Sequence, residues 1–216
     1  MSGADTAASG GHSVATLYEA SGLPIACDPG LRAAWPGARL AGPAYTVRGV
    51  GGDNLALHNA VATAPPGHVL VVDVQGAAHG HWGEVLAVAA QVRGLVGLVI
   101  DGGVRDLDEL ARLDFPVFAR MVTVLGTGKD HPGELGVPVT VGGVAVRTGD
   151  VVVGDADGVA VLPHQQVGAI VARADARVAM ERRILAELRV GRTTLELYDL
   201  DPRGAARVLP RSGGPK

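Results

Sequence analysis

Two short runs of branched aliphatic residues, Val69-Leu70-Val71-Val72-Asp73-Val74 and Leu95-Val96-Gly97-Leu98-Val99-Ile100, constrain this chain more than any other feature. Both are nearly continuous rather than alternating, the pattern of a strand covered on both faces. Between them, Glu84 to Arg93 places Val85, Val88, Ala89 and Val92 at helical spacing. This predicts a helix with those residues on one stripe, ended by Gly94. A second helix follows Asp101-Gly102-Gly103-Val104-Arg105-Asp106 and runs through Arg112. Strands joined by a right-handed crossover lie parallel, so the loops after both emerge at one edge of the sheet and can share a site. The expected class is α/β with a central, partly parallel sheet.

The flanking sequence fits one domain. Ser13 is placed to cap a short helix with Val14, Leu17 and Tyr18 on one face, ending near Gly22, and Leu55, Leu57 and Val61 predict a helix stopped by Pro65-Pro66-Gly67. Residues 137–146 and 151–162 alternate β-rich runs with Gly-Gly, Gly-Asp and Asp-Gly, predicting short strands and hairpins. A last helix, Gln165 to Arg189, sets charges between Val167, Ile170, Val171, Val178, Ile184 and Leu185. The domain is therefore read as 13–200, with 1–12 and 201–216 as flexible tails of small, polar or Pro/Gly/Arg-rich residues. Of the 216 residues 47% are hydrophobic but only 3% aromatic, so the core must be Val, Leu, Ile and Ala. A net charge of -3 argues against a nucleic-acid binder. The lone Cys27 excludes an internal disulfide and suits a cytoplasmic setting, and no apolar run reaches membrane-helix length.

Chemistry concentrates at the shared edge. The Gly76–Gly83 loop and the first turn of the helix after it are read as exposing backbone N–H groups to an anion, with Arg105 as a bidentate clamp on the same anion. Asp106 is sufficient as the one protein ligand of a hard cation such as Mg2+ or Mn2+, with Glu84 as the acid or base beside it. Singly, each has a structural explanation: Asp106 and Glu109 form a capping-box-like pair, and Glu84 is an acid in a first helical turn. Their conjunction is what points to catalysis. The chain has only Lys129 and Lys216, which supplies a Schiff-base route poorly. His79-Gly80-His81 lacks a third zinc ligand, Gly49-Val50-Gly51-Gly52-Asp53 lacks nucleotide-loop spacing and reads as a turn, His58 reads as a core or interface histidine, and Gly154-Asp155-Ala156-Asp157-Gly158 reads as a hairpin turn.

Trp82-Gly83-Glu84 through Gly94, then Gly97 to Asp106, then Phe115-Pro116-Val117, resemble the regulator-of-ribonuclease-activity-A-like family, which includes 4-hydroxy-4-methyl-2-oxoglutarate / 4-carboxy-4-hydroxy-2-oxoadipate aldolases. Gly52-Asp53-Asn54-Leu55 with His58, Pro66-Gly67, and the stretches Gly149-Asp150-Val151 and Gly154 to Val159 extend the likeness over roughly 13–198. The resemblance implies a compact, swivelling-type α/β/β layered domain. It implies a homotrimer or hexamer with active sites between subunits, and cleavage of 4-hydroxy-2-oxo acids to pyruvate, with oxaloacetate decarboxylation. It further implies that Asp106 binds the metal and Arg105 the substrate oxygens. The backbone of Gly83, Glu84, Val85 and Leu86 would receive the pyruvate carboxylate, and Glu84 would work through a water on the metal. Glu19 and Glu181 are the candidates for glutamates from a neighbouring subunit. The same family contains regulators that act by binding a ribonuclease, which is the alternative reading.

Overall fold

The computed structural model describes residues 9–200, in two compact units that divide after Ala174. The expected tails therefore lie outside the described residues except for 9–12, where Ser9 is buried and accepts the His12 N–H. In the first unit, helix α1 (Val14–Ser21) starts as predicted: Ser13 accepts the Thr16 N–H, and Gly22 closes the helix in the left-handed conformation. Edge strand β1 (Arg32–Ala33) and strand β2 (Leu40–Arg48) precede α2 (Leu55–Thr63). Then come β3 (Val69–Trp82), α3 (Glu84–Val92), β4 (Gly97–Val104), α4 (Leu107–Arg112) and β5 (Val117–Val122). Strands β2, β3, β4 and β5 pair in parallel. Short β6 (Glu134–Leu135) pairs with β2, and the β7 (Val139–Val141) and β8 (Val144–Val146) hairpin forms a separate two-stranded sheet. Strands β9 (Val151–Asp155) and β10 (Gly158–Leu162) form the predicted hairpin around Ala156-Asp157, and β9 runs antiparallel to β2, giving the order β1-β5-β4-β3-β2-β9-β10.

The two faces of the parallel strands are both covered, as their continuous apolar runs require. Leu70, Val72 and Val74 of β3 join Leu57, Leu86 and Ala90 in a cluster between the sheet and α2, α3 and α4. Val69 and Val71 point the other way, into a cluster with Phe118, Val139, Val141 and Val146 beside the hairpin. The result is the expected α/β/β layering. A third cluster packs α1 and the start of helix α5 (Val167–Arg189) on β9 and β10 through Leu17, Leu162, Ile170 and Ala174.

Two local expectations are corrected. The buried face of α3 is Leu86, Ala87 and Ala90, while Val85 is 77% and Val92 82% exposed, so the stripe that the spacing picks out is not the one that meets the sheet. Strand β3 does not give way to a loop at Val74: it stays paired with β4 as far as Trp82 by shifting register three times. The shifts place extra residues on β3, three between Asp73 and Ala77, two between Ala77 and Gly80 and one between Gly80 and Trp82, and each re-aims the side chains beyond it. In the second unit, Arg177 pairs with Glu181 at 2.8 Å, and the short helix α6 (Thr194–Leu197) opens with a complete Thr193–Glu196 capping box. Leu185 is exposed there.

Candidate active site

The site forms where β3 and β4 end side by side, Trp82 opposite Val104, with the Arg105 N–H donating to the Trp82 carbonyl at 2.9 Å. The next residue, Asp106, has φ 60° and ψ 44°. That left-handed region is uncommon for a residue with a side chain, and Asp is among the few that tolerate it. Asp106 stands at the N-cap of α4 yet makes no side-chain bond to its own helix. Its Oδ2 instead accepts the Glu84 N–H at the start of α3, at 3.1 Å, with the Arg105 Nε 3.7 Å away. The capping-box explanation is thereby removed: the left-handed turn takes the carboxylate away from α4, and Glu109 pairs with Arg112 at 2.7 Å.

Two glycines make room for this arrangement. A Cβ on Gly83 would lie 2.2 Å from the Asp106 Oδ2 and 3.2 Å from the Arg105 Cγ. Gly83 has extended backbone, with φ −158°, so the demand there is for space and not for unusual torsion. A Cβ on Gly80 would meet the Arg105 Cδ at 3.1 Å and the Thr123 carbonyl oxygen at 2.9 Å, so the arginine stem can lie across β3 only because that position is bare. The Gly80 N–H itself donates to the Leu125 carbonyl. The N–H groups available to an anion are therefore fewer than the sequence predicts. They reduce to the first turn of α3, where Val85 and Leu86 precede Ala87, the first N–H to reach back to Gly83.

Gly83, Val85, Leu86, Arg105 and Asp106 line one cleft of about 170 Å³. Glu84 gives that corner its N–H, but its side chain is exposed and is not part of the cleft wall. Glu19 is exposed on α1, outside the same wall, and Glu181 lies in the second unit, paired with Arg177. The structure adds Asn54, His58, His81 and Lys129 to the cleft. Asn54 and His58 lie one helical turn apart, which is the signal their spacing carried; Lys129 arrives from a segment 76 positions after Asp53 and carried none. Burial and the Lys129 charge hold the His58 imidazole below its ordinary value, so it is neutral at neutral pH. His81 is fully buried and is also held down by burial. Its Nε2 accepts the Gly52 N–H at 3.0 Å and its Nδ1 faces the Gly103 carbonyl at 3.4 Å, fixing a neutral ring with the proton on Nδ1. The Asn54 Nδ2 donates to the His81 carbonyl.

For a metal, the donor set is a single carboxylate. Among the described residues no three His, Cys, Asp or Glu side chains converge. Asp106 is 38% exposed, and its Oδ1 accepts no hydrogen bond from the described residues. One free hard oxygen, with space beside it for water and ligand oxygens, fits a small divalent cation that keeps most of its shell from those sources.

The layered fold with Arg105, Lys129 and Asp106 in one cleft at paired strand ends defines an α/β/β domain. The family model described as RraA-like, Aldolase/RraA, matches residues 14–161, and the chain belongs to that family. It is 41% identical over 129 residues to the "Putative 4-hydroxy-4-methyl-2-oxoglutarate aldolase" of Halalkalibacterium halodurans, a match covering 59% of this chain and 61% of that protein. Among solved structures it is similar to an uncharacterized protein from Pseudomonas syringae pv. tomato, with a TM-score of 0.81 and 29% identity over 93% of this chain and 94% of the other. It is also similar to the RNA-processing inhibitor RraA from Thermus thermophilis, with a TM-score of 0.65 and 31% identity over 70% of this chain and 93% of that one. Among the described residues no helix is long and apolar enough to cross a membrane.

Proposed function

We propose that this protein is a divalent-metal-dependent lyase that cleaves 4-hydroxy-2-oxo dicarboxylates and tricarboxylates to pyruvate and also decarboxylates oxaloacetate. The observation that carries this reading is Asp106. Its Oδ2 caps the neighbouring helix α3 through the Glu84 N–H, and what points to chemistry is that the same left-handed turn leaves the other oxygen, Oδ1, unbonded among the described residues and sets it beside Arg105 at a helix N-terminus in one cleft. Relatives named as aldolases of such substrates support it.

In this reading the substrate's C1 carboxylate accepts the Val85 and Leu86 N–H groups, aided by the dipole of α3. The Arg105 guanidinium holds the 2-oxo oxygen and opposes the charge that gathers there as the C3–C4 bond breaks. The C4 hydroxyl loses its proton as its oxygen becomes a carbonyl, and the electron pair of the broken bond passes toward C2–C3, where protonation of C3 gives pyruvate. Glu84, whose side chain stands outside the cleft wall, is assigned to that proton traffic through an intervening water. Mg2+ or Mn2+ held at Asp106 would supply further positive charge against the same electron pair. Lys129 brings a second cation to the cleft, suited to the distal carboxylate of the substrate. The exposed valines of α3 support assembly of several copies, as a trimer or hexamer, with Glu19 and Glu181 as the glutamates offered to a neighbour's site.

The test is pyruvate release, coupled to a dehydrogenase, from oxaloacetate and 4-hydroxy-4-methyl-2-oxoglutarate with and without Mg2+ or Mn2+. Asp106→Asn keeps an oxygen for the Glu84 N–H and tolerates the left-handed turn but loses the charge. It is expected to melt like the wild type and to lose roughly 1,000-fold in turnover. Absence of metal-dependent turnover by the wild type with either substrate overturns the reading. The likeness to an RNA-processing inhibitor favours one alternative, a regulator that acts by binding a ribonuclease. Recovery of a ribonuclease in a pull-down, undiminished in Asp106→Asn, is its signature.

A further inference from the structure

The Gly52-Asp53-Asn54 sequence has no part in the chemistry above, yet Asp53 is one of the few buried acids among the described residues, 4% exposed. Its two oxygens face two different pieces of chain. Oδ1 accepts the N–H of Leu55, the first residue of α2, at 2.9 Å. Oδ2 accepts the N–H of Asp130 at 2.6 Å and lies 3.5 Å from the His131 Nδ1. Main-chain bonds reinforce the junction: the Gly128 N–H donates to the Gly52 carbonyl at 2.8 Å, and the Asn54 N–H to the Gly128 carbonyl at 3.1 Å. Residues 127–133 otherwise carry no helix and no strand, and Asp130 and His131 are exposed. Lys129 stands between the two residues so fastened and reaches the cleft that Asn54 also lines.

We propose that Asp53 is a positioning residue: it ties the 128–131 segment to the start of α2 and so presents the Lys129 ammonium to the cleft, where it receives the second carboxylate of a dicarboxylate substrate. The identity of that carboxylate rests on the lyase reading; the tie itself does not. Without it, a lysine on an irregular exposed segment would sample many positions, and ordering it on binding would weaken affinity. Burial alone would push the Asp53 carboxyl up, but the Asp130, Leu55 and His131 N–H groups hold it at about 2, so the acceptor is charged throughout the working pH range.

Asp53→Asn separates the two halves of the contact. The amide oxygen can keep the Leu55 N–H, and the amide nitrogen then meets the Asp130 N–H donor to donor. With oxaloacetate and Mg2+, Asp53→Asn and Lys129→Met are each expected to raise KM roughly tenfold with kcat within about threefold, the size expected for loss of one hydrogen bond to a charged group. The double variant is expected to match Lys129→Met alone, because Asp53 acts through the lysine. Multiplying effects, or a fall in kcat at unchanged KM, overturns the proposal. Amide exchange followed by NMR provides a readout independent of turnover. In the wild type the exposed Asp130 and His131 amides should exchange at least tenfold more slowly than those of Leu125 to Thr127, and Asp53→Asn should abolish that protection while α2 stays protected. Unprotected Asp130 in the wild type overturns the tie even if Asp53→Asn does not fold. Should the wild type turn over neither oxaloacetate nor 4-hydroxy-4-methyl-2-oxoglutarate, the lyase reading falls and the exchange data still judge the tie.

Discussion

Asp106 and Gly83 act as one device. The carboxylate can lie against the start of α3 because the residue opposite has no side chain, so an added methyl group competes directly with Oδ2. Gly83→Ala meets no torsional objection at φ −158°. The variant should fold, with a melting temperature within a few degrees of wild type, while the carboxylate moves off the Glu84 N–H. A displacement of this size at a reacting centre costs on the order of 100-fold in kcat/KM. Coupled pyruvate release and a thermal melt on the same preparation check both halves, and an active Gly83→Ala would mean that the Asp106 position is not critical. At this scale the sequence was readable where consecutive strand–helix units deliver residues to one sheet edge: the pairing of β3 with β4 sets Gly83 beside Arg105 and Asp106, and that edge was legible. Asn54, His58 and Lys129 as cleft residues were not, because the placement of α2 and the fastening of residues 128–131 on its start bring them there.

Among the elements, β4 shows how a motif can carry structure and chemistry at once. Asp101 lies within it, five residues before Asp106, and is buried; Arg120 of β5 grips it through Nε and Nη2, and the Gly142 N–H between β7 and β8 donates to its Oδ2 at 2.8 Å. Burial would raise the Asp101 carboxyl, but the Arg120 hydrogen bonds and the Gly142 N–H hold it below the usual carboxylate range. A depressed carboxylate pKa adds stability that is fully present above about pH 4, the unfolded value, and is lost as pH falls through the folded one. Arg120→Met leaves the charge buried with one N–H partner, so a loss of about 3 kcal/mol is expected at pH 7. The gap between variant and wild type should narrow below pH 4, where Asp101 takes up a proton, and urea midpoints at pH 7 and pH 3.5 measure it. The order of strands and helices was legible here because continuous apolar runs and Pro/Gly stops encode it. The course of β3 past Val74 was not, since its Gly and His residues have little strand preference of their own and follow β4.

The orientation of α3 bears on the whole molecule. A helix with Leu86, Ala87 and Ala90 on one side and Val85, Val88 and Val92 on the other is apolar nearly all round, a pattern found where both sides are covered. Periodicity alone could not say which stripe meets the sheet; the smaller Ala87 and Ala90 fit the close approach of helix to strand, and the branched valines are left outside. Val61 and Ala89 border the same patch, beside His58 and Arg93. An apolar surface of this kind at the rim of a polar cleft marks an interaction face. If further copies cover it, charge placed there should separate them without disturbing the fold, since Val92 is 82% exposed and Val88 41%. Val92→Lys with Val88→Lys is therefore expected to keep the wild-type circular dichroism and to sediment as a monomer at micromolar concentration, where the parent is expected to sediment as a trimer or hexamer. Turnover should fall with assembly, because α3 also presents the Val85 and Leu86 N–H groups and the cleft would lose the neighbour's carboxylates. An unchanged sedimentation coefficient would assign the valine face to some other partner, and the ribonuclease pull-down repeated with the same double variant would then show whether that partner is the enzyme the regulator reading requires.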